Sequence, residues 1–219
     1  MISKLKSILT NPWRIRRWQA CKYIAAATLL LYLGNKSIRS LDYHWQWYRV
    51  ADFLMTQDGA GWRAGILLEG LGVTFHIVFW SMALAFLFGL TAALLRLSPS
   101  PVGKIIARGY LETVRNTPLL TQLFFLYFVI APIFGIGRFP TAVLALSLFE
   151  GAYASEILRA GILSIDKGQW EASHCLGFNR LQAYRWIILP QAIRHILPPL
   201  TGQAVSLVKD SALVSTIAI

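Results

Sequence analysis

Several ionisable side chains of this 219-residue chain lie inside long apolar segments, where an unpaired charge is costly and therefore suggests a function. Glu150 lies near the middle of one segment, and Lys209 and Asp210 lie together in another. Glu150 could pair with Lys209, or it could bind an ammonium group of a transported ligand, and the sequence leaves both roles open. Because a zwitterionic ligand needs an anionic and a cationic partner, these residues are candidates for a transport pathway.

Shorter polar side chains near a third apolar segment extend the candidate pathway. They are Asn116, Thr117 and Gln122, although Asn116 and Thr117 could instead cap the start of a helix. Glu156 and Arg159 are not candidates for the pathway, because residues three apart lie on one face of a helix and can pair with each other. We therefore predict that these two form a structural ion pair. The sequence shows no ligand spacing that predicts a metal site.

The elements that position these residues follow from composition. Hydrophobic residues make up 56% of the chain and charged residues only 14%, against about a quarter in soluble domains, which predicts a polytopic membrane protein. Apolar segments predict helices at 23–34, 66–95, 118–134, 141–165 and 196–219. We interpret the short first segment as an uncleaved helix rather than a signal peptide, because no small-residue cleavage site follows it. Pro99 and Pro101 predict a loop between the second and third segments.

The 21 lysines and arginines indicate how these segments are oriented. Fifteen of them lie in 1–22, 96–115 and 159–195, whereas five lie in 35–63 and 135–140. Because basic residues accumulate on the cytoplasmic side of a membrane, this distribution predicts a cytoplasmic N-terminus and a cytoplasmic loop at 166–195.

A spaced motif occupies this loop. Its residues are Glu171, Ala172, Ser173, Gly177, Ile187, Leu189 and Pro190. Asp166 can accept bonds from orphan backbone N–H groups and predicts the start of a helix over 169–176, which Gly177 can end in a left-handed conformation. A second helix is predicted over 180–188, leading to Pro190. The alternative is an ordinary amphipathic loop between two spans.

The motif resembles the EAA motif of ABC importer permeases, in which Glu-Ala-Ala is followed by a glycine six residues after the glutamate and by a closing Ile-x-Leu-Pro. Ser173 stands where that pattern has its second alanine, a small-for-small replacement. Segments within 110–120, 152–169, 197–200 and 207–211 resemble the polar amino-acid branch of this family, of the histidine/glutamine permease type. Asn116 departs from the glycine that the branch usually shows. The resemblance covers residues 66–219.

The resemblance implies an all-α fold, a polytopic membrane helical bundle with an extra N-terminal helix before a five-helix importer core. Residues 1–22 would be a basic cytoplasmic N-terminus, and 23–65 would hold the extra helix and a periplasmic segment. Residues 66–219 would form the transmembrane permease domain, with its coupling loop at 166–195. The last segment is apolar without a polar tail, so we expect the last core helix to follow Ile219.

The resemblance also implies a function, that of the membrane-spanning permease subunit of an ABC importer that moves a polar amino acid across the bacterial inner membrane. The motif residues would couple the permease to ATP hydrolysis. The sequence lacks a G-x-x-x-x-G-K-[ST] phosphate loop, so we expect no cofactor on this chain, with ATP and Mg²⁺ bound by a partner subunit. The implied partners are that ATP-binding subunit, a periplasmic amino-acid-binding protein, a second permease chain and membrane lipid, but no nucleic acid.

Two other functions fit a polytopic membrane chain. A secondary amino-acid transporter driven by an ion gradient would be expected to show an inverted internal repeat, and the sequence shows none. An intramembrane enzyme would need a nucleophile such as Ser81 or Ser147, but neither lies in a recognisable nucleophile motif. The sequence therefore favours the ABC permease, without identifying the amino acid or whether the second permease chain is identical.

Overall fold

The computed structural model describes residues 12–40, 46–58 and 61–218 of the chain. Its contacts form two units, Met1–Asp52 and Phe53–Ile219. In the first unit, helix α1 (Pro12–Ser40) contains the predicted apolar segment 23–34 and extends beyond it at both ends. A 3-10 turn (Trp47–Arg49) precedes a short helix, α2 (Val50–Leu54). Residues 1–11 of the predicted basic N-terminus lie outside the described residues.

The second unit is helical apart from one hairpin at its start. The antiparallel strands β1 (Met55–Asp58) and β2 (Gly61–Ala64) pair Met55 with Ala64 and Asp58 with Gly61. Four helices follow, α3 (Ile66–Leu97), α4 (Pro101–Arg115), α5 (Leu119–Phe134, with a π-helical turn at Leu126–Ile130) and α6 (Arg138–Leu163). The chain continues through α7 (Lys167–Cys175), α8 (Arg180–Ala183), a π-helical turn (Tyr184–Ile188), α9 (Leu189–Asp210) and a 3-10 helix (Ser211–Ile217). The predicted all-α class is confirmed.

Two helices, α3 and α6, are long and apolar enough to cross a membrane, which confirms the predicted spans at 66–95 and 141–165. A third crossing is added when α4 and α5, which meet at a bend of 104°, are taken as one broken span. Among the described residues, α1 and α9 do not meet this criterion, because each mixes apolar residues with charged and polar ones. The predicted segment 23–34 is thus helical, and the segment 196–219 is helical up to Ile217, without either qualifying as a span by length and composition.

The predicted loop between the second and third segments is wrong, because residues 101–115 form α4. Ser100 caps this helix, since its hydroxyl accepts a bond of 3.2 Å from the Gly103 N–H. Pro101 occupies the first turn, where a backbone N–H has no helical partner and proline is favoured. The two prolines that predicted a break therefore separate α3 from a new helix instead of forming a loop.

The predicted arrangement around Pro190 is also corrected. Residues 180–210 form one continuous helical path, in which a π-helical turn joins α8 to α9 and the Leu189 N–H bonds the Tyr184 carbonyl. This wider turn lets Pro190 lie at the start of α9 without ending the helix. The segment predicted to begin at 196 therefore begins at Leu189, and its regular α-helix ends at Asp210.

The core of the second unit forms where α3 packs against α6. Its largest buried cluster contains residues from α3, α5, α6, α9 and the last 3-10 helix. Members include Ile77, Leu123, Leu146, Leu207 and Val214. Serines contribute to the same contact, because the Ser81 hydroxyl donates to the Val143 carbonyl (3.4 Å) and the Ser147 hydroxyl donates to the Ser81 carbonyl (3.3 Å). Both serines are buried and bond backbone groups, which is the geometry of helix packing in membranes.

Gly89 sets the distance between α3 and α6, and its replacement provides a test of this packing. A Cβ at Gly89 would lie 2.9 Å from the Ala154 Cβ and 3.0 Å from the Gly151 carbonyl oxygen. We expect Gly89→Ala to lower the free energy of unfolding by about 1–3 kcal/mol, because backbone atoms would have to move. Thermal unfolding in detergent measures the effect.

The matched control is Gly72→Ala on the same helix, because a Cβ at Gly72 would meet nothing within 4 Å. This variant should raise stability by up to about 1 kcal/mol, through the higher helix propensity of alanine. Equal stability of the Gly89→Ala and Gly72→Ala variants would contradict a close contact at Gly89.

Candidate functional site

The first part of the loop between α6 and α9, up to the start of α8, folds nearly as the sequence predicts. The Asp166 carboxylate accepts a bond of 2.7 Å from the Gly168 N–H and so caps α7, which begins two residues earlier than predicted. Gly177 follows α7 with φ of +76°, in the left-handed region that favours glycine. Asn179 and Gln182 then form a reciprocal capping box, with both bonds at 2.9 Å, at the start of α8.

The spaced motif divides into exposed and buried residues. Glu171 and Ala172 are exposed on α7, whereas Ser173 is completely buried (0%) and its hydroxyl donates to the Trp170 carbonyl at 2.7 Å. The rings of Trp170 and Tyr184 meet edge to face 4.9 Å apart, which joins α7 to the π-helical turn. A small residue is needed at 173 because α7 packs on this side, which explains why serine can replace alanine there.

Beyond the motif, large apolar side chains of this loop are exposed, three of them strongly. Leu176, Leu181 and Trp186 expose 70%, 77% and 65% of their surfaces. Their sequence signal is that each is an apolar residue in a loop predicted to face water. In the closing part of the motif, Ile187 is half-buried, while Leu189 and Pro190 are exposed.

The loop is tied to the helices on both sides of it. A Cβ at Gly161 of α6 would lie 2.2 Å from Cγ1 of Ile196 of α9, so the two helices meet closely there. The Ser164 hydroxyl lies 2.7 Å from Nδ1 of His195, and the Gln191 amide donates to the Gln169 side chain at 3.1 Å. The bond between Gln191 and Gln169 therefore joins α7 to α9, whereas the contacts of Gly161 and Ser164 join α6 to α9.

Glu150 occupies a second region, inside the bundle. It is only 2% exposed, and the Gln203 amide of α9 donates to its Oε2. Within the part of the chain that the structure describes, its Oε1 has no hydrogen-bond partner. The carboxyl of Asp210 also interacts with Glu150, whereas Lys209 is exposed and makes no ion pair with it among the described residues. The sequence left two roles open for Glu150, and the structure does not show one of them, the pairing with Lys209.

A cavity of about 510 Å³ lies beside Glu150. Its lining is mainly apolar, from Phe79, Met82, Phe86 and Leu207, with Glu150 and Gln203 as its polar side chains. Few polar groups in a largely apolar cavity are typical of small-ligand sites. Sequence reasoning found Glu150 and missed Gln203, whose only signal was its place in an otherwise apolar part of α9.

Asn116, Thr117 and Gln122 lie at the bend between α4 and α5. Thr117 does not cap α5, because its hydroxyl donates back to the Thr113 carbonyl at 2.8 Å. The Gln122 amide donates to the Val114 carbonyl and the Thr117 hydroxyl, both at 2.7 Å, and so closes the end of α4. These bonds hold the bend, and the structure does not bring the three residues into the cavity beside Glu150.

The predicted pair of Glu156 and Arg159 is present, with Arg159 Nη2 2.7 Å from Glu156 Oε1. Arg96, at the end of α3, bonds the other carboxylate oxygen of Glu156. Sequence reasoning missed Arg96, because its contact joins residues 60 positions apart. The three residues fasten the end of α3 to the part of α6 that leads into the loop at 166–195.

Comparison with known proteins agrees with this geometry. A model of the family described as the inner membrane component of binding-protein-dependent transport systems matches residues 85–219. The chain belongs to this family. The probable glutamine ABC transporter permease protein of Bacillus subtilis (strain 168) is 43% identical over 155 residues, which cover 70% of this chain and 71% of that protein. The L-cystine transport system permease protein of the same organism is 41% identical, covering 69% of this chain and 65% of that protein.

Two further similarities support the same family. The arginine transport system permease protein of Bacillus subtilis (strain 168) is 40% identical, covering 69% of this chain and 70% of that protein. A crystal structure of an amino acid ABC transporter with histidines is also 40% identical, with a TM-score of 0.64, and covers 69% of this chain and 72% of that one. The relatives are permeases, so this chain is a permease subunit of an ABC importer and a multi-pass membrane protein.

Family membership decides between the functions that the sequence allowed. The predicted permease is confirmed, and the ion-gradient-driven secondary transporter is not supported. The prediction that this chain is a transporter subunit rather than an enzyme is confirmed as well, since the ATPase activity of such systems lies in a separate subunit. Ser81 and Ser147 accordingly act in helix packing.

Proposed function

We propose that this chain moves a polar amino acid across the bacterial inner membrane, with its N-terminus in the cytoplasm. The relatives named for glutamine, L-cystine and arginine support a polar substrate. The excess of lysine and arginine in the segments on the coupling-loop side supports the orientation. The permease domain spans 66–219, and a second permease chain, identical or homologous, completes the pathway.

The coupling loop at 166–195 is the observation that carries this proposal. It presents exposed Glu171 and Ala172 on a short helix whose other side is packed through Ser173. Such a helix suits docking into a groove of an ATP-binding subunit, which binds ATP and Mg²⁺. The bonds from the loop to α9 then pass closure of that subunit to the membrane helices. A periplasmic amino-acid-binding protein delivers the substrate from the other side.

Within the membrane, the cavity beside Glu150 is the proposed substrate site. The unpaired Oε1 of Glu150 is the group that would bind the ammonium or a cationic side chain of the amino acid. Gln203 of α9 donates to the other oxygen and so positions that carboxylate, and the Asp210 carboxyl adds a second acidic group near it. A substrate that contacts α6 and α9 together lies between the two helices that flank the coupling loop, which links binding to the motion of the loop.

Reconstitution tests the proposed partners. Proteoliposomes that contain this permease with its ATP-binding subunit should accumulate radiolabelled glutamine, arginine or cystine only when ATP and the binding protein are supplied. Dissipating the ion gradients should leave the uptake unchanged. Uptake that continues without the ATP-binding subunit would contradict the assignment of ATP hydrolysis to that partner.

The exposed carboxylate of Glu171 supplies a second prediction. We expect Glu171→Ala to weaken retention of the ATP-binding subunit about threefold in copurification, since exposed ion pairs contribute about 0.2–1 kcal/mol. Lys167→Gln is the matched control, because Lys167 is exposed on the same helix outside the motif. Equal retention by the Glu171→Ala and Lys167→Gln complexes would argue against docking through the motif.

A further inference from the structure

A cleft of about 420 Å³ lies where α4 meets the end of α3 and the second half of α6, and it differs from the Glu150 cavity in its charge. Arg96 of α3, Arg108 and Arg115 of α4 line it, together with Glu112 and Tyr153. Neither the coupling loop nor the cavity beside Glu150 uses these side chains, apart from the bond of Arg96 to Glu156. The function of three converging guanidinium groups therefore needs a separate explanation.

The charges of this cleft do not balance. Arg96 is paired with Glu156, and Nε of Arg108 lies 3.9 Å from Oε1 of Glu112 in an exposed pair that contributes little. Arg115 has no carboxylate within ion-pair distance among the described residues, and its guanidinium stacks over the Tyr153 ring at 5.4 Å. The cleft is therefore positively charged, with the hydrogen-bond donors of Arg115 available to an anion.

The position of α4 indicates where such an anion comes from. Val102, Ile105 and Ile106 form an exposed apolar edge, 63%, 71% and 60% exposed, beside the charged edge that carries Lys104 and Arg108. A helix with adjoining apolar and basic edges lies in the interface between lipid and water. The contact of Arg96 with Glu156 places the cleft at the same end of the spans as the coupling loop.

We propose that this cleft binds the phosphate group of an anionic phospholipid from the leaflet on the coupling-loop side. The planar guanidinium groups of Arg108 and Arg115 match two oxygens of a phosphate, and the apolar edge of α4 lies beside the acyl chains. Basic clefts between membrane helices on this side are suited to anionic headgroups. The bound lipid then joins α4 to α6 through Arg115 and Tyr153. The orientation proposed above is needed only to name the leaflet.

Native mass spectrometry of the assembled importer tests this site. The complex is purified in detergent, titrated with phosphatidylglycerol and compared with a titration of neutral phosphatidylcholine. Arg115→Gln should weaken binding of the first phosphatidylglycerol about tenfold, because a hydrogen bond to a charged group is lost. Lys104→Gln removes the same charge from the same helix outside the cleft, and it should weaken binding less than about twofold.

Several outcomes would overturn the site. Equal losses in the Arg115→Gln and Lys104→Gln complexes would show diffuse attraction to a basic surface. Binding of radiolabelled inorganic phosphate alone, or displacement of the lipid by millimolar phosphate, would identify a site for free anions. Equal binding of phosphatidylcholine, or no bound phosphatidylglycerol in the complex, would exclude an anionic-lipid site. Thermal unfolding of both variants must match that of the unsubstituted protein, and circular dichroism reports whether their helices are intact.

Discussion

Glu150→Gln is expected to lower ATP-driven uptake of the amino acid about ten- to hundredfold, while the helices remain folded. A hydrogen bond to a charged group contributes about 1.5–3 kcal/mol, and this variant removes the charge that would bind the substrate cation. The neutral amide keeps the size of the side chain and can still accept a bond from Gln203. Stability should not fall, because the variant also removes a buried charge with an unpaired oxygen.

Uptake by proteoliposomes with the binding protein in excess measures this effect. Glu69→Gln is the matched control, because Glu69 is an exposed acid in the first turn of α3 outside the cavity. It should leave uptake within about twofold, as expected for most surface substitutions. Full uptake by the Glu150→Gln importer would show that Glu150 does not bind the substrate. Glu150 would then be a packing residue that is hydrogen-bonded to Gln203.

Gly177→Val is expected to uncouple ATP hydrolysis from uptake. The amount of ATP hydrolysed per amino acid accumulated should rise about tenfold. Gly177 adopts φ of +76°, and a β-branched residue is strained in this conformation by about 1–3 kcal/mol. A Cβ at Gly177 would meet no atom within 4 Å, so the effect of the substitution comes from backbone strain and not from a steric clash. To relieve it, the chain between α7 and α8 must turn differently, which reorients the exposed residues of α7 relative to the ATP-binding subunit.

The measurement is the ratio of ATP hydrolysed to amino acid accumulated. Gly177→Asn provides the control, because asparagine tolerates the left-handed conformation better than other residues with a side chain, and coupling should largely be retained. Membrane insertion should be normal in both variants, and the free energy of unfolding of the Gly177→Val variant should fall by no more than the strain of about 1–3 kcal/mol. Equal coupling in the Gly177→Val and Gly177→Asn importers would show that the conformation at 177 is not needed for coupling.

The sequence predicted most accurately those features that depend on neighbouring residues. The apolar runs at 66–95 and 141–165 became α3 and α6, because length and hydropathy determine which helices can cross a membrane. Asp166 capped α7 and Gly177 ended it, since both effects act within one turn. The loop motif and its flanking segments identified the permease family, which the comparisons confirmed.

Local errors occurred where a residue has two roles in different contexts. Pro101 predicted a break, but proline is also favoured in the first turn of a helix, and the Ser100 cap decided in favour of α4. A helix was predicted over 180–188, leading to Pro190, but the π-helical turn before Pro190 accommodates its missing N–H and the helical path continues. Thr117 was a candidate cap for α5, and it instead closes α4 together with Gln122, because the chain bends by 104° there.

The amino-acid sequence alone thus determined the membrane class, the local fold of residues 166–182 and the family, because hydropathy, helix caps and motif spacing act over short stretches of chain. Tertiary structure alone decided that Glu150 meets Gln203, that Arg96 joins Glu156 and Arg159, and that three arginines surround one cleft. The contacts of Glu150 with Gln203 and of Arg96 with Glu156 join residues 53 and 60 positions apart. Such partners are set by how the helices pack, which depends on close approaches such as that at Gly89 and cannot be read from any single helix.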